Sequence, residues 1–370
     1  MKKLFFFFLI TSVYFSVATG QDRLIRNEEL LTKIKSGLDC MYNYEFEKAD
    51  SLFQIIEKEI PGHPIVPFLE GLSIYWQNAP LNPNDVAAVN LFFKKMKRST
   101  ELSDKVLENR FDYIEGGFFS LVAHAMQMMY YADNDQIIKV LKHVPYSYRR
   151  IVKAFDLHED FEEYKFFTGL YNYYIEAYPE AHPGYKPFLL LLHDGSRSEG
   201  LRQLEWIAQN GVFLKTEGLF FLHHIYLSYE CNPQMALKYA RQLHELYPNN
   251  TFYLVHYIFN LFVVEDFSLT DKLMPILEQH GDQNDFAKMM KLIFDGMIEE
   301  LVNQRYESAK NLYQKGIVMA VKFNPRVDTY LSLAYAGLSR IYKIEGIDKL
   351  AKKNKRIALR KTDYPCILDI

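Results

Sequence analysis

Between Glu45 and Ile60 the residues Phe46, Ala49, Phe53 and Ile56 fall at i, i+3, i+7 and i+10, one face of an α-helix. The stretch before it, Leu30 to about Asn43, reads as a partner helix. Gly37 and Ala49 are small where two antiparallel helices must approach closely. Pro61 and Pro64 then stop the second helix, because proline lacks an amide hydrogen and disfavours a helical residue before it. Gly37, Ala49 and Pro61 are spaced twelve and twelve.

The unit recurs. Gly71 lies 34 residues after Gly37, and Ala88 and Phe92 repeat the pairing of Ala49 with Phe53, with five extra residues assigned to Pro80–Asn84. His224, Ala236 and Pro248 repeat the twelve-and-twelve spacing, and Pro233, Ala236, Ala240 and Leu243 reproduce the helical face. Tyr306, Ala309, Tyr313 and Gly316 do so again. Ser339, Ala351 and Ala358, followed by Pro365, fit the same frame.

These units resemble tetratricopeptide repeats, 34-residue helix–turn–helix modules. Gly37, Ala49, Phe53 and Pro61 match that family's pattern, as do Phe220, Leu227, Ala236 and Pro248. His224 stands where the first helix should carry a small residue. Ala240 and Lys355 stand where the second should carry an aromatic one. The pattern is strong at 30–64 and 217–250 and weak between 100 and 215. The resemblance implies an all-α solenoid of seven or eight helix pairs over residues 21–370 as one domain, right-handed in its superhelix. Each pair cannot bury its apolar face alone, so stacking makes one core and leaves a concave surface suited to a peptide segment or a partner helix.

The centre departs from this frame. Phe167, Leu170, Tyr171, Tyr174 and Tyr178 share one face of a helix that is aromatic on nearly every side, as a helix buried between neighbours should be. From Pro179 onward Pro183, Gly184, Pro187, Gly195 and Gly200 interrupt any long helix. Gly169 to Gly200 spans 31 residues where other units have twelve, so an insertion at about 179–199 is expected, with a short helix from Pro187 to His193. Long loops in compact proteins are often functional. Tyr171, Tyr174, Tyr178 and Tyr185 could line a groove that stacks on a peptide or a sugar, or simply fill space between stacked helices.

Lys2 and Lys3, the apolar run LFFFFLITSVYFSVA and the small residues Ala18-Thr19-Gly20 form a bacterial export signal with cleavage before Gln21. The run is short for a membrane span of about 20 residues, and no cysteine at the cleavage point offers a lipid attachment site. An exported product, periplasmic or secreted, with no stable membrane insertion is expected. Losing the two lysines takes the formal charge from −3 to −5, too mild for a polyanionic partner and against nucleic acid. Three scattered cysteines, Cys40, Cys231 and Cys366, argue against a disulfide framework. One long-range bridge is conceivable; free buried thiols are the expectation.

No catalytic constellation emerges. His223 and His224 point about 100° apart on a helix and cannot chelate one ion as an i, i+4 pair could. A packed His224 facing its partner helix is expected. His193-Asp194 has no serine elbow to serve, Gly116-Gly117 lies inside an apolar helix, and Glu162-Glu163 reads as the solvated edge of a helix. No phosphate-binding or dinucleotide fingerprint is present. The basic run Lys349, Lys352, Lys353, Lys355, Arg356, Arg360 and Lys361 suits the C-terminal end of a helix dipole and the polar outer face of a terminal repeat. No cofactor and no metal are therefore expected. The expected role is a non-catalytic protein-binding or scaffolding module of the cell envelope, with small-ligand or glycan binding through the tyrosine-rich insertion as the alternative.

Overall fold

A computed structural model describes residues 24–108, 113–185, 192–282, 284–323 and 325–362. The described residues form sixteen α-helices and no strand, packed pairwise in chain order as an all-α solenoid. The eight pairs are α1 (Glu28–Tyr42) with α2 (Phe46–Glu59), α3 (Ile65–Gln77) with α4 (Val86–Glu108), α5 (Tyr113–Asp133) with α6 (Ile137–Leu157), and α7 (Lys165–Ala181) with α8 (Arg197–Asn210). There follow α9 (Lys215–Ser228) with α10 (Pro233–Leu246), α11 (Thr251–Val263) with α12 (Thr270–Gly281), α13 (Asp285–Met297) with α14 (Tyr306–Ala320), and α15 (Asp328–Ile344) with α16 (Asp348–Lys361). The predicted leader, Tyr185's side chain and Pro365 lie outside the described residues.

Six of the eight pairs turn in the same way. Tyr44, Asp135, Cys231, Glu265, Gln304 and Gly346 all take a left-handed backbone, with φ from 47° to 74°. The residue after each donates its amide to a carbonyl at the end of the first helix, as from Glu45 to Cys40 (2.9 Å), Asn232 to Tyr226 (2.8 Å) and Ile347 to Tyr342 (2.8 Å). Glycine is the usual residue at such a helix end, yet only Gly346 among the six is one. Pairs two and four, with longer connections, lack this turn. Asparagine or serine starts several helices: Asn27, Ser196, Asn232, Asn250 and Asn284 each accept a hydrogen bond from an amide of the following first turn.

Small residues sit at the helix crossings. A Cβ on Gly37 would come within 2.6 Å of the Phe53 ring, and Ala49 is fully buried beside it. Gly71 faces Met96, whose methyl lies 2.5 Å from where a Cβ would be. Its partner thus sits one helical turn beyond the expected Phe92. Phe92 is buried in the slot that Ala49 holds in pair one, and Ala88 is only half-buried. In pair four the backbones touch: a Cβ on Gly200 would lie 2.5 Å from the Tyr173 nitrogen and 2.7 Å from the Gly169 carbonyl. The insertion therefore falls between two helices that remain a close pair, at 182–196. Helix α7 runs through Pro179 to Ala181, two residues past the expected break. The predicted helix Pro187–His193 lies outside the described residues, apart from its last two positions.

Later pairs follow the same logic. Ala236 is fully buried, while Pro61 and Pro248 are exposed in the turns after α2 and α10. Ala309 is fully buried, and the Tyr313 ring is held between Gly296 and Gly337. Ser339 donates its hydroxyl to the Ala351 carbonyl at 2.9 Å, with Ala358 buried one face further along α16. Buried apolar residues fall into two clusters that meet around α9–α11, where Tyr226 and Phe252 pack on both.

The inner side does not form one open groove. The C-terminal end of α1 reaches across to α9, α10 and α11. Tyr247 donates to Asp39 (3.0 Å), the Asn249 amide to the Asn43 side chain (3.1 Å), and Asn250 Nδ2 to the Tyr42 carbonyl (2.7 Å). Trp76, at the end of α3, packs against Tyr42, Phe252 and Tyr253 with ring centroids 5.5–6.0 Å apart. Arg326, just before α15, donates to the Leu81 carbonyl at 2.8 Å. Along this seam the concave surface expected from stacked repeats is filled by the chain itself.

Cys231 is disulfide-bonded, which corrects the expectation of free thiols, while Cys40 is free and half-buried. No helix among the described residues is long and apolar enough to cross a membrane.

Candidate functional site

Helix α7 presents its tyrosines to three different neighbours. Tyr171 donates to the His193 carbonyl at 2.7 Å and packs against Phe155 and Tyr148; burial pushes its phenol up to about 12. Tyr174 lies edge-on to Tyr173 and Tyr229, and Tyr178 lies against His182. Tyr185 ends a short 3₁₀ turn, Pro183–Tyr185, and its side chain lies outside the described part. The three described rings are half-buried and do not converge on one opening.

The polar centre of this region is a residue that sequence reasoning passed over. Tyr173 is fully buried and donates to Glu230 at 2.6 Å. Arg197 binds the same Glu230 oxygen at 2.8 Å, reaches Glu180 at 3.0 Å, and places its guanidinium over the Tyr173 ring. Its backbone amide donates to Glu176 (2.8 Å). This cluster pins the start of α8 and the α9–α10 turn onto α7. Its only sequence signal is an arginine directly after the helix-capping Ser196.

A cleft of about 270 Å³ lies between the end of α6, the start of α7, and α8. Its charged side chains have partners: His158 meets Glu159, Arg202 meets Glu199, Lys165 meets Glu162 and the Trp206 ring, and Glu205 accepts from the Tyr239 hydroxyl at 3.2 Å.

Several expectations change on burial. Glu163 is not on a solvated edge. It is buried and accepts the amides of Val212, Phe213 (3.2 Å) and Leu214 (3.1 Å) ahead of α9, and only Glu162 is exposed. Burial pushes the Glu163 carboxyl up to about 7, against three N–H groups that favour its ionised form. Gly116 packs on the α4 backbone near Ser103 and Leu107, and Gly117 against the Tyr164 hydroxyl. His193 engages the Tyr148 hydroxyl through Nδ1 at 3.1 Å. Most of the basic run on α16 faces outward, and Lys361 pairs with Asp328 at 2.6 Å.

The packed histidine is His223, not His224. His223 is fully buried with Nε2 2.8 Å from Asn260 Nδ2, its ring 4.9 Å from that of His256. His256 Nε2 in turn meets the Tyr330 hydroxyl at 3.0 Å. His224 is half-buried, within 3.3 Å of the Ser228 hydroxyl one turn on. No cluster of three or more histidine, cysteine or acidic side chains among the described residues is placed to hold a metal.

Burial holds His256 down to about 3 and His223 well below the ordinary histidine value. His256 then takes up a proton on unfolding but not in the fold. Its stabilising share is complete above about 6.5 and declines as the pH falls, by at most about 1.4 kcal/mol per pH unit. Glu217 runs the other way. Burial pushes it up to about 7, so its share is present below its unfolded value and is lost as the pH rises through 7. Urea melts from acid to neutral pH should show wild type losing ground to His256→Phe on the acid side and to Glu217→Gln on the neutral side. Differences independent of pH would contradict both assignments.

No protein-family model matches the chain, and no curated protein is significantly similar to it.

Proposed function

We propose that the protein is an exported, non-catalytic scaffold of the cell envelope, built of tetratricopeptide-like repeats and binding a protein partner. The observation that carries this reading is the hairpin turn constructed six times on six different residues, each stacking one more helix pair. That is how a chain enlarges surface without building a reaction centre. The buried and half-buried ionisable groups support it too. Glu163 caps backbone amides, Glu230 and Glu300 hold arginines, and His223 meets an asparagine. Because the inner seam is filled, the partner is expected on the outer faces and helix ends.

A photo-crosslinking residue placed in turn at Val318, Leu359 and Tyr174, in cells, tests this. The expected result is a discrete adduct to one protein from an outer position, in a chain whose N-terminus is Gln21. No protein adduct, together with glycan-array binding that Tyr174→Ala abolishes, would instead favour a sugar or small-ligand binder. A chain retained inside the cell with its leader intact would overturn the envelope assignment.

A further inference from the structure

Helix α6 is covered far less than its neighbours. Of its 21 residues only Ser147 and Ala154 are buried. Ile137, Ile138, Leu141 and Val144 expose 56, 76, 60 and 42% of their surface. At about 100° per residue these four share one face, a continuous apolar ridge two turns long. Isolated exposed apolar residues are ordinary on soluble proteins, whereas a contiguous stripe marks an interaction surface. Val86 and Leu91 of α4 are exposed at the same end of the molecule, which the Phe93–Tyr131–His143 ring contacts tie to the first turns of α6.

The charge on this helix is mainly positive, its one acid, Asp156, pairing with Lys153 at 3.4 Å. Residues 137–155 carry Lys139, Lys142, Arg149, Arg150 and Lys153 and no acidic side chain, although the chain as a whole is net negative. Lys142, Arg149 and Lys153, all exposed, follow one another at i, i+7 and i+11 along one edge of the ridge. Neither Lys142 nor Arg149 forms an ion pair among the described residues. Lys139 lies over the Tyr131 ring and Arg150 over the Tyr146 ring.

We propose that α6 seats the protein on an anionic lipid bilayer, with the apolar ridge sunk among the acyl–headgroup boundary and the lysines and arginine against headgroup phosphates. A convex apolar ridge beside exposed cations is the pattern of helices that lie in a membrane interface, immersed by about 5–10 Å. A second copy fits poorly. Two-fold pairing of this face would bring five cations from each chain together with only Asp156 from each α6 to offset them. The attachment is peripheral and needs no spanning helix.

Co-sedimentation of the full chain with vesicles tests the proposal. Vesicles of mixed phosphatidylglycerol and phosphatidylcholine are expected to retain the protein and vesicles of phosphatidylcholine alone to release it. Raising the salt from about 0.1 M to about 0.5 M should weaken retention, because the Debye length shrinks. Ile138→Asp, at a position open enough to leave folding intact, should weaken partition by about tenfold or more, as should Lys142→Glu with Arg149→Glu. Absence of retention on anionic vesicles overturns the proposal, as does retention that neither variant alters. It is equally overturned if light scattering finds a dimer that Ile138→Asp dissociates, or if a crosslinker at Leu141 labels a protein and no lipid.

Discussion

Arg340→Ala is expected to lower the unfolding free energy by about 3–5 kcal/mol, the scale for removing one partner of a buried ion pair. Glu300 sits in a π-helical turn, Ile298–Val302, that follows α13, and its side chain is 3% exposed. Arg340 of α15 grips it bidentately, Nε to Oε1 at 2.7 Å and Nη2 to Oε2 at 2.9 Å, while Tyr313 of α14 donates to Oε2 at 2.6 Å. One carboxylate thus ties pair seven to pair eight. Without the arginine the carboxylate must stay buried against a single phenol, which costs stability. Chemical denaturation of Arg340→Ala, Glu300→Leu and the double variant Glu300→Leu/Arg340→Leu checks the argument. The double variant should recover most of the loss, because two apolar side chains leave no orphaned charge. If Arg340→Ala unfolds at the wild-type midpoint, the triad is not holding these pairs together.

That triad also shows what could and could not be read from the sequence. The recurring face of Tyr306, Ala309, Tyr313 and Gly316 marked α14 as a packed second helix, and Ala309 and Tyr313 are fully buried. Helical periodicity and small residues report on contacts between neighbours in the chain, so pairs one, two, five, seven and eight were legible from them, while the pattern was weak between 100 and 215. Glu300 gave no signal, because a buried acid looks like a surface acid until its arginine, 40 residues away, is brought to it. Glu163 was misread for the same reason, its partners being amides 49 to 51 residues on. The six left-handed turns were hidden differently. Five are built on Tyr44, Asp135, Cys231, Glu265 and Gln304, none of them glycine. The backbone hydrogen bond that closes each turn holds a residue whose own preference would not reveal it.

The filled seam was the least legible feature, and Asn250→Leu is the substitution that measures it. Asn250 is fully buried and works on two helices whose ends are 208 residues apart in sequence. Its Oδ1 accepts the amides of Phe252 (2.9 Å) and Tyr253 (3.2 Å), capping α11, while its Nδ2 donates to the Tyr42 carbonyl at the end of α1. Loss of a cap costs about 1 kcal/mol, and a buried carbonyl left without a donor costs about 1–3 kcal/mol more. A destabilisation of about 2–4 kcal/mol is therefore expected. Asn232→Ala isolates the first part, because Asn232 caps α10 through Met235 alone and sits exposed in a turn. The excess of Asn250→Leu over Asn232→Ala is the contribution of the seam. Small-angle scattering should also show Asn250→Leu enlarged at unchanged helicity if the seam opens while the hairpins persist. If the two variants cost the same and scatter alike, the contact between α1 and α11 does not close the solenoid. Its inner surface would then be accessible to a partner after all, and the outer-face assignment would have to be withdrawn.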